Sequence, residues 1–420
     1  MHWSLVPGCL CALVCAVHCA ELSPELSILG RVKARMLETL SRQPNYTCVQ
    51  QIERSQRRVP RRKYELHDLL RVEVAIVDGK EMYAWPGSRK FEETDLTQMV
   101  TGGAINTGSF ATHAHSVFRT SGPIFTYVGP VTVNGRDAVR FDYKVPYIAS
   151  GYHIRVGTKE AVVAYHGSFW ADAQTDDLIR LEVAADDIPP YLGVSAAQDA
   201  MEYSRRKIGE SEFLLPAASE LVMADLAGNE SRNRTIFTGC RQYSGESVLT
   251  FAEAPTAAAE DTTEPAAATA RAEPAPKQIV ELPADTTFNV KLETDIDSEH
   301  AAVGDQVIAV LDEHVRVKRR LLLEKGARLI GRIVRLDRES GFSILDLQFS
   351  EGESERTRAA FNAKIDQSVS FYANRMSFQN TMYERQHHGG ASGGMYIRSQ
   401  RFRLRAGDRV RLKTVAADAH

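Results

Sequence analysis

Tight-turn dipeptides punctuate the segment 46–251, and this pattern restricts the chain to antiparallel β structure. Asp78-Gly79 and Asn134-Gly135 each lie between two segments in which apolar and polar residues alternate. Dipeptides of this kind connect paired strands because their residues accept positive φ angles. We therefore predict a large curved antiparallel sheet, an incomplete β-barrel, with about ten or more strands.

One amphipathic helix precedes these strands in the sequence. Ser23 suits the N-cap of a helix, and Pro24 suits its first position. Apolar residues then recur every three or four positions, at Leu26, Leu29, Val32, Met36, Leu37 and Leu40. The pattern ends at Pro44. We expect one face of this helix to cover an apolar surface of the sheet.

Length and a change in composition predict two domains. The chain has 420 residues, which is too many for one ordinary core. Residues 252–278 are rich in Ala, Pro, Glu and Thr, and we interpret them as a disordered linker. The first domain then spans residues 21–251. Alternation resumes over 279–417 and predicts a small β-barrel or sandwich with a polar, mobile loop at 372–394.

The N-terminal residues predict export of the protein. Residues 5–20 are apolar but too few to span a bilayer comfortably. We interpret residues 1–20 as a signal peptide that is cleaved between positions 16 and 20. His18 before Cys19 is atypical of lipid attachment. We expect a periplasmic or envelope-associated protein with no transmembrane segment after signal removal.

The cysteines fit this compartment. Four of the six lie in the predicted signal peptide, which leaves Cys48 and Cys240. A single pair of cysteines in an exported chain predicts a disulfide. Two unpaired core cysteines are the alternative. Neither cysteine has metal-ligand spacing to a histidine or to another cysteine.

Charge is distributed unevenly, although the net charge is only −3. This balance produces no global basic field, so we expect no nucleic-acid partner. Residues 54–63 (RSQRRVPRRK) are nevertheless strongly basic. A run of this kind is usually a solvated surface. Contact with a phosphate or with an anionic lipid head group is the alternative.

Two phrases of the first domain resemble the LolA-like periplasmic lipoprotein carriers. The segment 167–182 (GSFWADAQTDDLIRLE) is similar to a family hairpin in which Trp-x-Asp-x-x-Thr precedes an apolar residue and an Arg. Tyr203 and the segment 208–216 (IGESEFLLP) are similar to the next part of that family. The resemblance covers roughly residues 24–250. It implies an incomplete β-barrel whose concave face is covered by helices and holds acyl chains.

The second domain resembles the TrbI-type outer-core domain of conjugation and type IV secretion proteins. The similar segments are 282–298, 303–307 (VGDQV), 323–331 (LEKGARLIG) and 404–410. The membrane-crossing segment of that family would fall in the long loop 372–394. This loop is polar here, so the resemblance does not imply pore formation.

Clustered ionisable residues do not predict a catalytic or a metal site. Asp172, Asp176 and Asp177 lie between two apolar segments, as turn residues do. An acid–base pair or a cation site is the alternative for this cluster. His113 and His115 would share one face of a strand, but no third ligand accompanies them. We predict no catalytic residue, no metal ligand and no cofactor.

Four aromatic residues are the candidates for ligand contact, namely Trp85, Phe110, Phe118 and Trp170. They would line a concave apolar face, or else form an ordinary sheet core. We predict a non-enzymatic envelope protein that binds an acyl chain, a lipoprotein or an apolar peptide on that face. The second hypothesis is a scaffold that binds envelope proteins without a small ligand. An apolar cavity of roughly 300 Å³ or more favours the first hypothesis.

Overall fold

The computed structural model describes residues 23–77, 80–88, 91, 96–100, 104–105, 112–243, 277–339, 341–366 and 394–416. The predicted signal peptide, Phe110, and nearly all of the predicted linker and mobile loop lie outside the described residues. The predicted domain boundaries therefore stay a prediction. In the part of the chain that the structure describes, no helix combines the length and the apolar content that crossing a bilayer requires.

Eleven strands form one large antiparallel sheet, as the turn pattern predicted. They are β1 (Tyr46–Arg57), β2 (Glu65–Val77), β3 (Lys80–Ala84), β4 (Ile124–Val133), β5 (Arg136–Val145), β6 (Tyr152–Val156), β7 (Lys159–Asp172), β8 (Leu178–Asp186), β9 (Val194–Ile208), β10 (Ser211–Asp225) and β11 (Glu230–Gln242). Their spatial order is β3-β2-β1-β11-β10-β9-β8-β7-β5-β4, and β6 pairs with β7. The sheet is thus a meander in which β1 returns to pair with β11.

The described chain has three α-helices beside the sheet, and two short 3-10 helices, Tyr147–Ala149 and Pro190–Leu192, lie between its strands. The α-helices are α1 (Pro24–Arg42), α2 (Leu96–Met99) and α3 (Thr112–Phe118). The predicted N-cap of α1 is confirmed, since the Ser23 hydroxyl accepts from the Leu26 amide. This helix buries Val32 and Met36 but leaves Leu26 and Leu37 exposed, so its buried stripe is narrower than the sequence pattern suggested.

The strands after residue 277 form the second predicted β unit. They are β12 (Gln278–Glu281), β13 (Thr287–Leu292), β14 (Ile296–Asp297), β15 (Gln306–Leu311), β16 (Val315–Val317), β17 (Arg320–Leu323), β18 (Arg328–Glu339), β19 (Phe342–Glu353), β20 (Thr357–Ile365), β21 (Met395–Ile397), β22 (Arg403–Leu404) and β23 (Arg409–Thr414). Six of them close into a ring in the order β20-β23-β13-β15-β18-β19, with β19 paired back to β20. The unit is therefore a small barrel.

The barrel joins the large sheet along the part of β2 that β3 does not cover. The Val303 amide donates to the Leu69 carbonyl at 2.7 Å, and the Arg71 amide donates to the Val303 carbonyl at 2.8 Å. These bonds form a parallel bridge between Leu70 and Val303. Buried side chains of both units meet in one apolar cluster. The two units therefore share hydrogen bonds and core.

Gly304 permits this close approach. Its φ is +100°, and a Cβ at this position would lie 2.2 Å from the Arg71 carbonyl oxygen and 2.7 Å from the Trp85 ring. The Arg332 guanidinium lies 5.6 Å from the centre of that ring. Trp85, a predicted ligand contact, is thus packed at the junction of the two units.

Cys48 in β1 and Cys240 in β11 form the predicted disulfide. The two cysteines are separated by 192 positions in sequence but lie on neighbouring strands. A bond that closes so long a loop reduces the conformational entropy of the unfolded chain. It also fastens the first strand of the sheet to the last.

Replacing Gly304 by Ala should lower the free energy of unfolding more than the same replacement at a glycine outside the junction. Gly407 is the matched control, since its φ is +96° and a Cβ there would meet nothing within 4 Å. Both substitutions impose backbone strain of roughly 1 kcal/mol or more. Gly304→Ala should cost a further 1–3 kcal/mol, roughly, through overpacking. Urea unfolding measures the difference. Equal losses would contradict the close packing at Gly304.

Removing the disulfide should lower the free energy of unfolding by roughly 4–5 kcal/mol in the chain-entropy treatment. We expect the double variant Cys48→Ala/Cys240→Ala to match the reduced wild-type protein in urea unfolding, because both lack only the cross-link. Peptide mapping without reductant should recover Cys48 linked to Cys240. Two free thiols in protein taken from its native compartment would disprove the pairing.

Candidate functional site

The inner face of the large sheet, defined here as the face that carries α1 and α3, is largely filled by side chains. Val32 and Met36 of α1 and Phe118 of α3 pack there against Phe169 and its neighbours on β5, β7, β8 and β9. The Phe118 and Phe169 rings meet edge to face with centres 5.2 Å apart. Phe118, a predicted ligand contact, therefore lies in a closed core.

The hairpin turn between β7 and β8 holds the clustered aspartates. Asp172 Oδ1 accepts from the amides of Gln174 and Thr175, each at 2.9 Å. Asp176 has a φ of +57°, which Asp tolerates better than most residues. These contacts satisfy the backbone of a tight turn. The interpretation of the cluster as a turn is confirmed for Asp172 and Asp176.

Asp177 fastens α1 to the sheet. Its carboxylate accepts from Arg205 Nε at 2.8 Å and Nη2 at 2.9 Å, and from Arg35 Nε at 2.9 Å. This hydrogen bond from Arg35, opposed by partial burial, raises the pKa of the Arg35 guanidinium. The sequence pattern did not reveal this role, because the three residues are distant along the chain. A basic residue on the sheet-facing side of α1 was the only available hint.

A cleft remains on the inner face where neither helix covers it. It has a volume of about 780 Å³ and opens at the end of the sheet where β1 and β10 finish. Apolar side chains form much of its wall, and they include Val100, Ile105, Ile154, Val156, Val194, Ala197, Leu221 and Met223. Charged side chains line the cleft as well, and they include Arg57, Arg58, Arg155, Asp225 and Glu230. The volume of the cleft is above the threshold of roughly 300 Å³ at which an apolar cavity favours the ligand-binding hypothesis.

A buried pair of polar side chains adjoins Tyr152, which lines the cleft. His113 Nε2 of α3 lies 3.5 Å from Asp199 Oδ2 of β9, and both side chains are buried. The His113 ring also meets the Tyr152 ring edge to face, with centres 5.5 Å apart. Burial, and to a lesser degree the Asp199 carboxylate, raises the pKa of Tyr152. Tyr152 therefore stays a neutral, largely apolar wall of the cleft.

The two histidines of α3 do not share a face. Sequence alone placed His113 and His115 on one face of a strand, but the segment is helical, and residues two apart on a helix point in different directions. His115 contacts Arg119 at 3.3 Å. Burial lowers the pKa of His115, and the positive charge of Arg119 lowers it further. The Glu81 carboxylate meanwhile accepts from the Thr112 amide at 3.4 Å at the start of the helix.

Trp170, the last of the predicted ligand contacts, lies on the outer face of the sheet. The guanidinium groups of Arg140 and Arg180 lie 5.2 and 5.9 Å from its ring centres. Both arginines also line a groove of about 680 Å³ on this face. Trp85, Phe118 and Trp170 thus occupy three separate places, and none of them lines the cleft.

One cluster of potential metal ligands lies at the junction of the sheet and the barrel. Atoms of His67, Asp68 and Asp337 lie within 4.8 Å of one another. However, Asp68 accepts two hydrogen bonds from the buried Arg54 guanidinium. Asp337 accepts from Arg335. Guanidinium groups therefore already serve as the counter-charges of both carboxylates.

Comparisons with known proteins give remote structural similarity only. No family model matches the chain, and no curated protein matches it. A solved domain from Vibrio parahaemolyticus assigned to outer membrane lipoprotein sorting is similar to 52% of this chain over 92% of its own, at 12% identity and a TM-score of 0.29. A LolA superfamily protein from Nitrosomonas europaea is similar to 52% of this chain over 93% of its own, at 12% identity and a TM-score of 0.26.

A third solved structure is a DUF1329 family protein from Desulfovibrio piger. It is similar to 52% of this chain over 92% of its own length, with 10% identity and a TM-score of 0.28. The resemblance of the barrel to the TrbI-type domain has no counterpart among these structures and stays a prediction.

Replacing Asp177 by Asn should destabilise the protein far more than the same change at Asp176. Asp177 is the shared partner of two guanidinium groups, whereas Asp176 pairs, among the residues that the structure describes, only with Arg31, whose side chain is 56% exposed. We expect a loss of about 2 kcal/mol for Asp177→Asn and less than about 1 kcal/mol for Asp176→Asn. Thermal or urea unfolding of both variants checks this. Equal losses would show that α1 does not depend on the Asp177 contacts.

Proposed function

We propose that this chain is an exported, non-enzymatic envelope protein that binds an acyl chain, a lipoprotein or an apolar peptide in the cleft of the inner face. The apolar walls of the cleft carry this proposal. A ligand that covers these apolar side chains releases ordered water. Each buried CH₂ then contributes roughly 0.8 kcal/mol to the binding free energy. Of the three arginines that line the cleft, Arg57 pairs with Glu230 and Arg155 pairs with Glu160, so Arg58 is the cation that suits a negatively charged head group.

The disulfide supports the location that we propose. Bonds of this kind persist in oxidising compartments such as the bacterial periplasm and are rare in the cytosol. Cys48 and Cys240 form the bond between neighbouring strands, where it stabilises the sheet that carries the cleft.

Met223→Trp should weaken binding of fluorescently labelled palmitate to the purified protein. Met223 lines the cleft, whereas Val222 lies on the opposite face of the same strand. An indole that displaces three methylene groups from the cleft should cost about 2.4 kcal/mol, or roughly fiftyfold in Kd. The control Val222→Trp should bind as the wild type does.

Fluorescence titration gives the dissociation constants of all three proteins. Native mass spectrometry of protein purified from its own envelope should in addition show a co-purified lipid. No binding by the wild type would disprove the carrier proposal, as would equal binding by Met223→Trp and the wild type. The scaffold hypothesis would gain support from a stable protein partner together with an empty cleft.

A further inference from the structure

The mouth of the cleft is formed by loops from several strands at one end of the large sheet. Because neighbouring strands run antiparallel, alternate connections fall at the same end. This end carries the β1–β2 connection (58–64), the β6–β7 turn (157–158), the β8–β9 connection (187–193) and the β10–β11 turn (226–229). Arg58, Val156 and Asn229 from these loops or beside them line the cleft.

Four large apolar side chains are exposed at this mouth. They are Val59, Val156, Tyr191 and Leu226, with exposed fractions of 59%, 39%, 55% and 64%. Exposure of apolar side chains to water is unfavourable, and a group of exposed apolar residues marks a contact surface. We call these four residues the apolar rim.

Hydrogen bonds hold the loops of the apolar rim together. The Val59 amide donates to Asn229 Oδ1 at 3.1 Å, and the Leu226 amide donates to the Gly193 carbonyl at 3.2 Å. The Tyr191 hydroxyl donates to the Glu160 carbonyl at 3.1 Å. The rim is therefore a built surface shared by adjoining loops.

Uncompensated positive charge lies beside the apolar rim. Arg57 pairs with Glu230, and Arg61 pairs with Glu65. Arg58, Arg62 and Lys63 are exposed, and none of these three forms an ion pair with any residue that the structure describes. The basic run of the sequence thus places next to exposed Val59 three cations that have no ion-pair partner among the described residues, although Arg58 Nη2 donates to Gln56 Oε1 at 3.4 Å.

We propose that the apolar rim and the cations Arg58, Arg62 and Lys63 together dock this protein on an anionic phospholipid bilayer. Cations beside exposed apolar side chains fit such a surface, because the head groups attract the charges while the apolar groups enter the interface. Docking at this end would bring the mouth of the cleft against the bilayer. The proposal does not require the cleft to hold a ligand.

Vesicle co-sedimentation tests the proposal with full-length protein purified from cells that export it, after its N-terminus has been determined by mass spectrometry. The wild type should pellet with vesicles that contain phosphatidylglycerol and remain in solution with pure phosphatidylcholine. Binding should weaken as salt is added, because screening reduces the attraction between exposed charges.

Arg58→Glu/Arg62→Glu/Lys63→Glu should reduce the partition coefficient on the order of a hundredfold, since each cation near an anionic surface contributes roughly fivefold. The matched control is Arg316→Glu/Lys318→Glu/Arg320→Glu, which reverses three exposed cations of the β16–β17 hairpin. This control should bind as the wild type does.

Val59→Asp/Leu226→Asp should reduce the partition coefficient by roughly tenfold or more, because less apolar surface enters the interface. Its control is Ile279→Asp/Leu321→Asp, which alters two exposed apolar residues of the barrel unit. Met223→Trp should leave vesicle binding unchanged, so failure of ligand binding and failure of docking are separate results.

Three outcomes would overturn the docking surface. The first is wild-type protein that binds neither vesicle. The second is binding to both kinds of vesicle that reversal of Arg58, Arg62 and Lys63 leaves unchanged. The third is an equal loss in the rim variants and in their barrel controls.

Discussion

An open sheet must cover one of its faces, and this requirement shapes the first part of the molecule. On the inner face, α1 is held by the ion pairs of Asp177, and α3 contacts Asp199 through His113. The barrel covers the region of β1 and β2. Each of these elements fills part of the face with side chains. The cleft is the part of the inner face that none of these elements covers. This explains why apolar side chains line it and why it opens at one end of the sheet.

The barrel is bonded to the edge of the sheet through its backbone. A free strand edge exposes backbone donors and acceptors that invite pairing with other chains. The Val303 backbone satisfies these groups along Leu69 and Arg71 of β2. The absence of a side chain at Gly304 lets this segment approach Trp85 and the Arg71 carbonyl closely. The orientation of the cleft relative to the barrel is therefore set by backbone contacts.

Local turn chemistry made much of the fold predictable from sequence. Asn134 and Gly135 adopt φ angles of +51° and +77°, the geometry for which this dipeptide is selected. By contrast, α3 has only seven residues and depends on Asp199 and Glu81, which are remote in sequence. The candidate site was missed for the same reason. Aromatic residues identify apolar surface, but only the tertiary contacts decide that Phe118 is covered and that the walls around Met223 are open.

The two faces of the sheet differ in what a ligand would have to displace. In the outer groove, Arg140 pairs with Asp142 and Arg180 pairs with Glu182, so a polar ligand must replace bonds that the protein already makes. Exchanging such bonds yields little net free energy. At the inner cleft Arg57 pairs with Glu230 in the same way, but the side chains of Val194, Leu221 and Met223 make no such bonds. An apolar ligand that covers these side chains displaces only water, which is favourable in proportion to the area covered. Binding strength should therefore concentrate in the cleft, although the groove is nearly as large.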